Sequence, residues 1–156
     1  MAWYPGGAPG YPSNVPNILV ASDSAALRED VRSVLSGGDS VVTEVESGGA
    51  VAPAILANPP DLVILDLQIG SMGAIAVCMD LRLEEGAGRL DHIPVLVLLD
   101  RRADVFLARR VEADGWLIKP LDPIRLRKAI RALLAGDTYE DPTRRPPTVA
   151  VAPGHR

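Results

Sequence analysis

Short apolar runs alternate with longer amphipathic stretches through the middle of the chain. Ile18, Leu19 and Val20 mark a first strand over Asn17–Ala21. Ala26, Leu27, Val31, Val34 and Leu35 then recur at helical spacing over Ala25–Leu35, and Gly37-Gly38 closes that helix. Ser40–Val45 reads as a weaker second strand, and Ala50–Ala57 as a short helix that Pro59-Pro60 ends. Leu62 to Leu65 form a continuous apolar run between Asp61 and Asp66, the pattern of a central parallel strand buried on both faces. The next helix runs over Met72–Leu83, with Ile75, Met79 and Leu83 on one stripe and Cys78 beside it. Ile93–Leu99 is a fourth strand, and Ala103–Glu112 a helix with apolar Val105, Phe106, Ala108 and Val111. Gly115–Ile118 is the fifth strand. Asp122 then caps a last helix to Leu134, with Pro123 at its first position and Gly136 at its end. Five strands alternating with five helices predict an α/β fold, a doubly wound five-stranded parallel sheet.

Proline and glycine usage sets the boundaries. Residues 1–16 and the stretch after Gly136 each hold four of the 14 prolines, so 1–16 and 137–156 read as flexible tails around one domain over 17–136. Trp3, Tyr4 and Tyr11 in the first tail could dock on a partner. With 47% apolar residues the chain has enough for a sizeable core. Its formal charge of -4 gives no global attraction to nucleic acid or to an anionic membrane. No apolar run approaches the roughly 18 residues of a membrane span. Cys78 is the only cysteine, so a disulfide framework within one chain is excluded, and a reducing cytoplasm is the expected location.

The strand ends supply the candidate chemistry. The first strand runs into Ser22-Asp23, the third ends at Asp66, the fourth at Leu99-Asp100 and the fifth at Lys119-Pro120. In open α/β sheets the ligand crevice lies outside the carboxyl ends of the strands. With a sheet order of 2-1-3-4-5, Asp23 and Asp66 face one crevice and Lys119 approaches it from the far side. Two carboxylates and an ammonium at that edge suit Mg²⁺ and a phosphoryl group.

Asp61-Leu62-Val63-Ile64-Leu65-Asp66-Leu67, Met72, Ile93-Pro94-Val95 and Gly115-Trp116-Leu117-Ile118-Lys119-Pro120-Leu121 fall in an order and spacing that resemble the receiver domain of two-component response regulators. The resemblance covers about residues 17–136. It implies the flavodoxin-like receiver fold, with Asp66 as phosphoacceptor, Asp23 and Asp66 as metal ligands and Lys119 as the phosphoryl-pairing lysine. Trp116 stands where the family keeps a mobile aromatic. Ser22 replaces the first of two adjacent acids, so Mg²⁺ binding is expected to be weak. Leu99 replaces the Ser or Thr whose hydroxyl draws the fourth loop toward the phosphoryl group, which leaves the switch at Leu99 and Trp116 without its usual pull. Gly70 and Gly73-Ala74 replace a proline and an Asp-Gly pair, a change in the loop over the crevice.

The resemblance implies a non-enzymatic signalling protein whose partner is a histidine kinase or another signalling protein. With no room for an output domain, the expected form is a stand-alone atypical receiver that acts by protein–protein association with phosphorylation switching impaired or lost. The alternative is a fully phosphorylation-competent receiver. A dehalogenase-type phosphatase is set aside because position 68, two residues after Asp66, is Gln rather than an acid. From Lys119 to Arg131 five cations face one acid, and Arg125, Lys128 and Arg109 mark a partner surface across the fourth and fifth helices, through which a homodimer could also form. Direct contact with nucleic acid or membrane is not expected. Cys78 is expected in the core, and His92 and His155 form no recognisable metal site.

Overall fold

A strand buried on both faces must send alternate side chains into two separate cores, and the central strands of this chain do so. A computed structural model describes residues 15–38, 40–70 and 73–142. In it β1 (Asn17–Ala21), β2 (Val41–Val45), β3 (Leu62–Asp66), β4 (Val95–Leu99) and β5 (Gly115–Ile118) form a parallel sheet in the order β2-β1-β3-β4-β5, as the sequence predicts. Ile18, Val20, Leu62, Ile64, Leu96, Leu98 and Leu117 point to the side covered by α1 (Ala25–Leu35) and α5 (Pro123–Leu134). Leu19, Val63, Leu65, Val97, Leu99 and Trp116 point to the side covered by α2 (Val51–Ala57), α3 (Ala74–Gly86) and α4 (Val105–Arg110). The caps follow from local chemistry. Ser24 accepts from the Leu27 amide at the start of α1, and Asp122 accepts from the Ile124 amide ahead of Pro123 at the start of α5.

Besides shifts of up to three residues at element ends and a 3-10 turn over Gly48–Ala50 ahead of α2, the structure departs from the expected elements in three places. A sixth strand, β6 (Tyr139–Glu140), pairs in parallel with β5, so the region expected as a C-terminal tail begins inside the sheet. Met79 and Leu83 are 54% and 67% exposed, and α3 buries Ala74, Val77, Cys78 and Leu81 instead. That helix is apolar around most of its circumference, so spacing alone cannot select the buried stripe. In the fourth helical segment a 3-10 turn over Arg102–Asp104 precedes α4, and Phe106 faces outward. Trp3, Tyr4, Tyr11, Met72 and His155 lie outside the described residues.

Candidate functional site

Parallel pairing aligns the strand ends, and this alignment builds the site. Ala21 is level with Leu65 and Asp66 with Leu98, so the first residues beyond β1 and β4 flank the end of β3. Ser22 is fully buried, and its hydroxyl donates to Asp66 Oδ2 at 2.7 Å while accepting from the Ser24 amide at 3.0 Å. Arg28 Nη1 donates to the Ser22 carbonyl at 2.7 Å, and its Nε to Glu44, which fixes the turn after β1 from below. Asp66 Oδ1 accepts from Lys119 Nζ at 2.7 Å and from the Gln68 amide at 3.1 Å. Both oxygens of this buried carboxylate are therefore engaged, one by a hydroxyl and one by an ammonium and an amide.

Lys119 has a second acceptor, Asp100 Oδ1, at 3.1 Å. Burial alone would lower the Lys119 pKa, but the hydrogen bonds and charges of Asp66 and Asp100 outweigh it and hold the pKa above the ordinary lysine value. Asp100 Oδ2 is buried with no hydrogen-bond partner, an orphaned acceptor at the rim of the same crevice. The Lys119–Pro120 peptide is cis.

Asp23, the next residue after Ser22, is exposed. A Cβ added to Gly70 would sit 3.4 Å from Asp23 Oδ2, so the loop after β3 passes close to that carboxylate. Among the described residues no three His, Cys, Asp or Glu side chains converge as a metal site. The donors on this side of Asp66 are the carboxylates of Asp23 and Asp66 and the neutral Ser22 hydroxyl. All are hard oxygens, and Mg²⁺ is commonly held by one or two carboxylates with waters completing its shell, so the set fits the ion at reduced charge.

Below the crevice, Leu99 is fully buried and Trp116 is 5% exposed, in the same apolar cluster as Val97, Ala108 and Val111. The guanidinium of Arg109 lies 5.3 Å from the centroid of the Trp116 ring, a cation–π contact that covers its outer side. Of the expected partner surface, Lys128 is exposed on α5. Arg125 pairs with Asp122 and, at 3.1 Å, with Asp141 Oδ1; Arg109 is 3.7 Å from Glu140. Two of the three cations are thus partly neutralised by acids from the β6 segment.

Sequence reasoning named Asp66, Lys119, Ser22 and Leu99 but gave no role to Asp100, Arg28, Glu140 or Asp141. Asp100 carried a usable signal, as a carboxylate directly after a strand that ends at the crevice. Glu140 and Asp141 carried none, because they follow the last helix in a proline-rich stretch.

A profile of the response regulator receiver domain matches residues 18–131. The DNA-binding response regulator MtrA of Mycolicibacterium paratuberculosis is 34% identical over 119 residues, which are 75% of this chain and 50% of that protein. The transcriptional regulatory protein BaeR of Escherichia coli is 25% identical over 123 residues, 78% of this chain and 49% of that protein. The chain spans about half the length of the curated relatives it matches. The signal receiver domain of a signal transduction histidine kinase from Syntrophus aciditrophicus superposes with a TM-score of 0.70 at 25% identity, covering 88% of this chain and all of that one. The chemotaxis response regulator CheY4 of Vibrio cholerae, at 21% identity, shares the fold with a TM-score of 0.69 over 76% of this chain and 98% of its own.

Proposed function

Since this chain belongs to the response regulator receiver domain family, we propose that it serves two-component signalling as an atypical receiver, an interaction module whose phosphorylation switch is impaired or absent. The observation that carries this reading is the packing of Leu99 and Trp116. In the family's switch a hydroxyl at the end of the fourth strand moves toward the phosphoryl group, and the aromatic of the fifth strand enters the space left behind. Here Leu99 has no hydroxyl, and Trp116 is already buried under Arg109. Burying such a side chain stabilises one arrangement by about 1.5–3 kcal/mol, with no opposing attraction from Asp66. The surface formed by α4, β5 and α5 is then constitutive, and it meets a histidine kinase, another signalling protein or a second copy of the chain.

A second reading, a phosphorylation-competent receiver, is favoured by one observation: the ion pair between Asp66 and Lys119 is intact at 2.7 Å. Asp66 would be the phosphoacceptor and Lys119 would pair with the new phosphoryl oxygens. Asp23 and Asp66 would hold Mg²⁺, whose charge offsets that of the incoming group. The two readings separate in one experiment with acetyl phosphate or beryllofluoride and Mg²⁺. Intact mass reports phosphate on Asp66, and Trp116 fluorescence, with Trp3 mutated away, reports the switch. The proposal expects no spectral shift with the phosphoryl mimic. A clear shift that Asp66→Asn abolishes would establish the second reading.

A further inference from the structure

The edge strand of a sheet presents unpaired amides and carbonyls, and a segment that pairs with them either belongs to the fold or occupies a binding site. Beyond α5 the chain turns back along β5. The Tyr139 amide donates to the Asp114 carbonyl at 3.1 Å, Gly115 is level with Tyr139, and Trp116 with Glu140. The approach is close enough that a Cβ on Gly115 would stand 2.8 Å from the Tyr139 carbonyl oxygen, so this edge accepts a strand only because position 115 has no side chain. Asp141 then leaves the ladder but stays bound. Its Oδ2 accepts the Ile118 amide at 2.8 Å and its Oδ1 pairs with Arg125, and the residue is 3% exposed. Glu140 meets Arg109 on the α4 side.

We infer that the β5 edge is a binding site for an extended acidic segment entering parallel to β5 between Arg109 and Arg125, and that residues 138–141 are its resident occupant. The strand has only two ladder residues, short even for an edge strand. The Glu140–Arg109 pair is solvent-exposed and contributes little. Asp141 therefore holds most of the segment in place, through a charge-assisted bond to the Ile118 amide and a partly buried ion pair with Arg125. The segment acts as a latch across the middle of the α4–β5–α5 face. A partner that adds a strand there gains the backbone hydrogen bonds that β6 now makes, and must displace it. The displacement clause rests on reading that face as the partner surface; the strand-accepting edge itself does not.

The test uses the full chain carrying Asp141→Asn, with Glu140→Arg as a second variant at an exposed position. Amide exchange at Ile118 reports the latch, and a synthetic peptide spanning residues 137–142 is the probe. The inference expects exchange at Ile118 in Asp141→Asn to rise by about tenfold or more, the scale of losing a charge-assisted hydrogen bond. It expects the peptide to bind Asp141→Asn more tightly than the unaltered chain, and the same peptide with Asn in place of its Asp141 to bind neither. Glu140→Arg shifts both readouts in the same direction by less. Unchanged exchange at Ile118 overturns the latch, and faster exchange without peptide binding overturns the strand-accepting site. Neither readout involves a phosphodonor or a kinase, so failure here leaves the reading of Asp66 and Leu99 as it stands, and the converse holds too.

Discussion

One ammonium, Lys119, serves two carboxylates, and a phosphoryl group arriving at Asp66 would have to share it with both. Asp100 competes for the lysine and adds a negative charge beside an anionic donor. Its Oδ2 makes no hydrogen bond. Asp100→Ala is expected to raise the rate at which acetyl phosphate labels Asp66 by about three- to tenfold, the effect of removing one partly screened like charge at short range. Intact-mass kinetics measure it, and a slower rate in the variant would count against competition. Ser22 acts on the other side of Asp66 by donating to its Oδ2. Ser22→Asp replaces that donor with a third carboxylate and is expected to tighten Mg²⁺ binding by about tenfold. Titration calorimetry checks this; unchanged affinity would mean that Asp23 and Asp66 already suffice.

β1, β3, β4 and β5 end at the site and also span the core, so a last residue such as Leu99 bears on both. Leu99 closes β4, fully buried in the cluster that contains Trp116 and Ala108. Leu99→Ala opens a cavity there and is expected to cost about 3–5 kcal/mol in urea unfolding, the usual range for a buried leucine. A loss below about 1 kcal/mol would mean that Trp116 moves readily into the vacated space, contrary to a single locked arrangement. At the scale of elements the sequence is most legible where periodicity and caps agree. The residue limits of β1, α1 and β5 match their apolar runs, and Asp122 with Pro123 marks the start of α5. It is least legible in α3, where apolar residues surround the helix and only packing against β3 and β4 chooses which side is buried. Phe106 faces outward because the short α4 turns Ala108, and Val111 just beyond its end, toward the core, which leaves position 106 on the other side.

At the end of the sheet opposite the site, a charged junction ties α3 to the segments that lead into β4 and β5. Arg82 donates to Glu85, to Asp114 and to the Glu112 carbonyl, and His92 lies between Glu85 and Asp114 at 2.9 Å from each. Partial burial tends to lower the His92 pKa, but its bonds to Glu85 and Asp114 outweigh that and raise it above the ordinary value. A raised histidine pKa means stability that is fully present below about pH 6.5 and is lost as pH rises through the folded-state value. The urea midpoint is therefore expected to fall as pH rises above about 6.5, and His92→Gln to flatten that dependence. An unchanged slope in the variant would assign the effect to other groups. No helix among the described residues is long and apolar enough to cross a membrane. The sequence by itself determined the alternation of strands and helices, the acid at the end of β3 and the Lys-Pro at the end of β5, because these depend on local periodicity and on the register of parallel strands. Only the tertiary structure decided that Lys119 is shared with Asp100, that Trp116 is buried under Arg109, and that Asp141 returns to cap Ile118. Those partners come from different elements, and whether they meet depends on side-chain geometry and on the path of the chain after α5, neither of which a local pattern encodes.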